Sequence, residues 1–107
     1  MSKHTPGPWQ AFDNGTYFEI RSGRESLGDA CASKYQESGD NSEANAVLMA
    51  AAPQLLADLT DAAAQLRKYE TLHRAKGTPD SLEKADVNGA LAARFEATIA
   101  AAVGGAE

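Results

Sequence analysis

The side chains best suited to holding a ligand are few and scattered: His4, Trp9, Arg21, Arg24, Asn45, Arg67 and Arg74. Trp9 follows a stiff His-Thr-Pro-Gly-Pro lead-in. It can serve as a core aromatic beneath helices or as a platform on which a flat ring stacks. His4 can stack on or hydrogen-bond the same ligand, or be an ordinary surface residue near a chain end. Arg67 and Arg74 could grip a phosphate or carboxylate. Alternatively they are solvated charges, with Arg74 paired to Glu70 one helical turn earlier. Arg21 and Arg24, at a turn, carry the same ambiguity. Asn45 is a polar residue one turn into an apolar helix start. Its local task would be a hydrogen bond to the sheet edge or to the preceding loop, or a contact with a ligand.

Catalytic sets are missing from the sequence. Cys31 is the single cysteine, so an intramolecular disulfide is excluded and a reducing compartment is the natural setting. Nothing in the sequence links it to a base, and it reads as a small buried residue of a strand. Two distant histidines plus one cysteine do not make a zinc site. No glycine-rich phosphate loop precedes a helix. Asp58 and Asp61, one turn apart, read as a solvated helix face rather than an acid/base pair. No nucleophile, base and orienter assemble. The expectation is a binder, not an enzyme, with no cofactor and no metal.

Charge narrows the partners. Ten Lys+Arg against fifteen Asp+Glu give a net charge of −5 and a pI near 4.9. The deficit is spread along the chain, so no basic field for nucleic-acid binding is expected. No apolar run reaches the ~18 residues of a membrane span, and no apolar stretch follows Lys3 as a secretory signal requires. Neither nucleic acid nor membrane is expected as a partner.

The elements that must position these residues change character near residue 40. Of 22 alanines, 19 lie at or beyond Ala44, whereas Trp9, Phe12, Tyr17 and Phe18 come early. Sheet formers precede helix formers. The expected fold is α+β: an N-terminal three-stranded antiparallel meander followed by a C-terminal antiparallel helical hairpin. With 107 residues a single domain is expected, residues 1–40 forming the sheet part and 41–107 the helical part. Strands are expected over 9–12, 16–21 and 26–32. Asp13-Asn14-Gly15-Thr16 is read as a tight type I′ hairpin turn and residues 22–25 as a second turn. Asn41 or Ser42 is expected to cap a helix over 43–52. Pro53 either opens a new helix or kinks a longer one.

In the next helix Leu55, Leu59, Ala62, Leu66 and Tyr69 recur at steps of four and three, a narrow seam that Leu48 and Leu56 widen. Thr78 with Pro79 starts the last helix, Asp80 with Glu83 being the capping alternative. Its apolar positions are Val87, Leu91, Phe95 and Ile99, and Ala85, Gly89, Ala92 and Ala93 permit close helix approach. One face of the hairpin is expected to cover the sheet. The remaining apolar surface suggests a homodimer or higher oligomer formed through the helices.

Two segments resemble a large set of short phage and prophage proteins. One is His4-Thr5-Pro6-Gly7-Pro8-Trp9. The other, Asn45 to Leu56, reads Asn-Ala-Val-Leu-Met-Ala-Ala-Ala-Pro-Gln-Leu-Leu, where Met49 stands at a position usually Ile. The resemblance implies a phage-encoded accessory protein in the cytoplasm of an infected bacterium. The layout is also similar to one class of phage anti-Thoeris sponges, which oligomerise and sequester a cyclic ADP-ribose signal. That likeness is architectural. It implies binding of a small-molecule nucleotide signal; the alternatives are an acidic inhibitor of a host defence protein, in the manner of anti-CRISPRs, or a structural or regulatory phage protein without a ligand.

Overall fold

The computed structural model of the protein describes residues 4–33 and 39–104. The expected burial of Cys31 concerns a side chain outside the described ones, although its backbone lies in a strand. The chain order is β1 (Gln10–Asp13), β2 (Tyr17–Ser22), β3 (Glu25–Ser33), α1 (Gly39–Ala50), α2 (Ala52–Lys76) and α3 (Pro79–Ala102). It is the expected α+β arrangement of three antiparallel strands followed by helices. Two compact units divide it, one spanning His4–Leu55 and the other running from Leu56 onward.

In the first unit the strands form a meander in the order β1-β2-β3, with Ala11 opposite Ile20 and Phe12 opposite Glu19. The first turn differs from the two-residue Asn14-Gly15 expectation. Asn14 donates its backbone N–H to the Tyr17 carbonyl, so Gly15 and Thr16 are the central residues. Gly15, with φ 97°, occupies the first central position, where a type II′ turn takes glycine. The Asn14 side chain is the reason for the shift. Its Oδ1 accepts from the backbone N–H of both Thr16 and Tyr17 at 3.0 Å, so it closes the turn from outside rather than sitting at its tip. The second turn has Ser22 opposite Glu25, as expected. A register shift follows, between Ile20–Gly28 and Arg21–Ser26, which leaves Leu27 as the extra residue of a bulge.

Alternation sends Phe18 and Ile20 to one face of β2, and α1 packs on that face. The core is Ile20, Ala30 and Ala46, with Trp9, Ala11, Phe18 and Leu27 packed against it. The cover that the sequence assigned to the helical hairpin is therefore supplied by α1. The capping expectation for α1 is also corrected. The helix starts at Gly39, so Asn41 and Ser42 lie in its first turn. Ser42 and Ala46 are both fully buried. They lie one turn apart on the sheet-facing side, and that spacing draws the helix start back beyond Ser42.

Pro53 resolves in favour of a new helix. α1 ends at Ala50, and the Ala51 N–H is shared between the carbonyls of Val47 and Leu48 at 3.1 Å each. Pro53 is the second residue of α2, where its missing N–H costs no hydrogen bond within that helix.

In the second unit α2 and α3 pack as an antiparallel hairpin. Thr78 caps α3: its side chain accepts from the Ser81 N–H at 3.1 Å, with Pro79 at the first helical position. On α2 the packing seam is rotated from the expected one, whereas on α3 it runs along Ala85, Gly89 and Ala92, three of the four residues expected to permit close approach. Ser81, Ala85, Gly89 and Ala92 are buried on α3, and Ala63 on α2. Leu55, Tyr69 and Val87 are instead 53, 45 and 63% exposed. Small residues let the two backbones approach closely, which displaces the large apolar residues to the flanks.

Candidate functional site

Trp9 is held by its own lead-in. Its indole N–H donates to the Thr5 carbonyl at 3.0 Å, folding residues 5–9 into a loop. The Ser22 hydroxyl donates to the Pro6 carbonyl at 2.9 Å and ties that loop to β2. The Gly7–Pro8 peptide is cis. His4 presents its ring edge-on to Trp9, with centroids 6.1 Å apart and planes at 88°, and its Nδ1 lies 2.9 Å from the Thr5 carbonyl.

Gly7 explains how the lead-in meets the helices. A Cβ built on it would lie 3.0 Å from Cβ and 3.2 Å from Cγ of Pro53. A side chain would not fit between the loop and that ring. The two segments that resemble phage proteins thus pack on each other, His-Thr-Pro-Gly-Pro-Trp against the start of α2.

Trp9 is common to three open clefts in this unit. One of about 310 Å³ is lined by Gly7, Pro8, Ala50, Pro53 and Gln54 together with Trp9. Another of about 480 Å³ adds Gln10, Ala11, Val47 and Ala51. A third of about 270 Å³ lies among Ile20, Leu27, Gly28, Asp29 and Met49. All three are mainly apolar, as ligand clefts are. Among the described residues lining them there is no arginine.

The arginines fall elsewhere. Arg21 sits on β2, one residue beyond Ile20 and three beyond Phe18, and so on the opposite face of the strand. Its guanidinium carbon is 4.6 Å from the Phe12 ring centroid, a cation–π contact. Its Nη2 reaches the Arg24 carbonyl only at 3.5 Å, and its Nε is shielded from solvent without a hydrogen-bond partner among the described residues. Arg24 is exposed in the turn, and Asn45 is exposed on α1.

Arg67 and Arg74 lie in the other unit, in an ionic ladder across the hairpin. Arg67 grips Glu96 with two N–H groups at 3.0 and 2.7 Å and reaches Glu70 at 2.9 Å. Arg74 donates to Glu70 at 2.9 Å and to Asp86 at 3.2 Å. Glu70, the middle rung, is held by both arginines, and its side chain is only 17% exposed. It can lie against α3 because residue 89 is glycine. A Cβ there would come within 2.9 Å of the Glu70 Cδ. Hydrogen bonds from Arg67 and then Arg74 hold the Glu70 carboxyl below its ordinary range, and Arg67 does the same to Glu96. The arginines are shifted upward in return, by the hydrogen bonds they donate, chiefly to Glu96 for Arg67 and to Glu70 for Arg74.

The Glu70–Arg74 pair was readable from its spacing in sequence. The cross-links from Arg67 to Glu96 and from Arg74 to Asp86 depend on how the helices pair, which sequence spacing does not give. His73 lines a pocket of about 370 Å³ with Asp80, Glu83, Lys84, Val87 and Asn88. Its Nδ1 is shielded and has no hydrogen-bond partner among the described residues. Sequence reading did not single this residue out as a ligand contact. Among the described residues no three His, Cys, Asp or Glu side chains are grouped to hold a metal ion, and no helix is long and apolar enough to cross a membrane.

Residues 1–106 match the family model of Salmonella phage P22 protein Y8K6, and the chain belongs to that family. No curated protein and no solved structure matches it.

Proposed function

We propose that this phage-family protein works by stoichiometric binding rather than by catalysis, in the cytoplasm of the infected bacterium, and that it counters host immunity by sequestering a cyclic-nucleotide-type signal. The observation that carries the reading is the setting of Trp9: an indole bordered by three adjoining apolar clefts, with the His4 ring edge beside it. A flat heteroaromatic ring is the ligand such a surface suits. With no arginine among the described lining residues, recognition would rest on the base more than on phosphates. Gln10 and Gln54 supply the polar contacts. Arg67 and Arg74, already paired with carboxylates, would have to give up those bonds to hold an anion.

Trp9 is the only tryptophan, so its fluorescence reports on this surface alone. Titration with a panel of cyclic nucleotides and cyclic ADP-ribose isomers is expected to change that emission for one compound. The same compound at 100 times its dissociation constant should stabilise the fold by about 2.7 kcal/mol. If no compound alters either the emission or the unfolding temperature, the reading fails.

The alternative is an acidic inhibitor that docks on a host defence complex. It is favoured by Val47 and Leu48, which are 56 and 64% exposed on α1, together with the net charge of −5. Capture of one stoichiometric host partner, abolished by Leu48→Lys, would support it.

A further inference from the structure

One side of α2 carries Asp58, Ala62, Gln65, Tyr69, Leu72 and Lys76, all exposed. They follow one another at alternating intervals of four and three residues, the spacing of a coiled-coil stripe. Tyr69 and Leu72 are 45 and 59% exposed, two large apolar residues left open on the same stripe. The order of residue types along the stripe is self-complementary. An acid stands near its N-terminal end and a base at its C-terminal end. Small Ala62 and large Leu72 are equidistant from the level of Arg67.

We propose that this stripe is a self-association surface, on which a second copy of the chain docks its own α2 antiparallel about a two-fold axis at the level of Arg67. In that pairing Asp58 meets Lys76 of the second copy, Ala62 receives Leu72, and Gln65 lies against Tyr69. Each contact occurs twice, as a two-fold interface requires. Just outside the stripe Asp61 falls opposite His73 and Lys68 opposite Leu66, so no like charges meet. A parallel pairing would set Asp58 on Asp58, Lys76 on Lys76 and Ala62 on Ala62, which brings together like charges and leaves a gap. From Asp58 to Lys76 the stripe is about 27 Å long at 1.5 Å per residue. Two helices meeting over that length form an interface smaller than the standard size, so the dimer depends on protein concentration. This inference is independent of what Trp9 binds.

Sedimentation velocity over a wide concentration range tests it. The protein is expected to pass from monomer to dimer. Asp58→Lys and Lys76→Asp should each raise the dissociation constant about tenfold or more through like-charge contacts, and the double swap should restore it. Asp58 also has an interaction within its own chain, so Leu72→Lys, an exposed substitution, is the independent variant and should leave a folded monomer by circular dichroism. A wild-type chain that stays monomeric at every concentration overturns the proposal. So does a dimer that Leu72→Lys leaves intact. A double swap that stays monomeric while folded overturns the antiparallel pairing.

Discussion

The two units of this protein are stabilised in different ways. The unit of β1–β3 and α1 is closed by apolar contact: among the described residues its buried core is Ile20, Ala30 and Ala46, with Trp9, Ala11, Phe18 and Leu27 half-buried against it. The α2–α3 hairpin has only small residues fully buried in its seam, Ala63, Ser81, Ala85, Gly89 and Ala92, with Leu59, Leu66, Leu91, Phe95 and Ile99 half-buried, and five charged side chains bridge the seam at its surface. Burial contributes about 0.8 kcal/mol per CH₂ group, so the alanines at the centre of the seam add little, and the apolar contribution comes mostly from the half-buried large residues. Helix propensity, capping and close approach make up the rest. The aromatic clefts belong to the first unit. The second presents long, regular, charged surfaces. The small-ligand proposal rests on the first unit and the self-association proposal on the second.

The comparison can be broken most directly at Ile20. Ile20→Ala removes the largest core side chain and should cost about 2–5 kcal/mol. Trp9 emission should shift to the red at a denaturant concentration where the helical signal of α2 and α3 persists. Loss of both signals at one midpoint would show the units to be a single cooperative structure. Next in size is Gly7→Ala, whose methyl group meets a rigid proline ring. Overpacking of this kind costs typically 1–3 kcal/mol, and the loss should appear in the Trp9 signal alone. Thr78→Ala acts on the other side of the comparison. It removes the α3 cap and should lower hairpin stability by about 1 kcal/mol, with Trp9 emission unchanged under native conditions.

The smallest effect is electrostatic. Glu70 and Glu96 titrate below the ordinary value of 4.5 in the folded hairpin. Their contribution is therefore complete above that value and is lost as pH falls through it toward the folded values. The upward arginine shifts matter only on the alkaline side of the guanidinium range. Thermal unfolding of the hairpin should weaken on acidification below about pH 4.5, and less so at 1 M salt, where screening over about 3 Å has already reduced the ladder. A sheet unit that showed the same acid and salt sensitivity would remove the contrast.

The architecture was legible wherever local chemistry decides. Alternation around Phe18 and Ile20, the turn at Ser22–Glu25 and the Thr78-Pro79 start each follow from neighbouring residues. The failures share a cause. The step pattern of Leu55, Leu59, Ala62, Leu66 and Tyr69 identifies an apolar side of α2 correctly. It does not say that Gly89 and the alanines of α3 will draw α3 onto the adjacent side. Asn14 displaced the expected turn through a side-chain bond that a residue-pair rule omits. Of the candidate ligand contacts, Trp9 and His4 do meet, because the link between them is local. Arg67 and Arg74 were visible as charges, but Glu96 and Asp86 were not visible as their partners, since the pairing is set by the register of the hairpin.

The fit of Gly7 against Pro53 also bears on the order in which the chain can finish folding. Residue 7 leaves the ribosome long before residue 53, so the lead-in must wait for the start of α2 before it can complete its packing. Until then it has only nearer footholds, such as the Ser22 hydroxyl on Pro6. Closing so long a loop carries an entropic cost that grows only slowly with length, so the delay is in time more than in free energy. During synthesis Trp9 would stay open to water longer than the strands behind it, and a chain stalled short of α2 would display its indole without the proline that borders it.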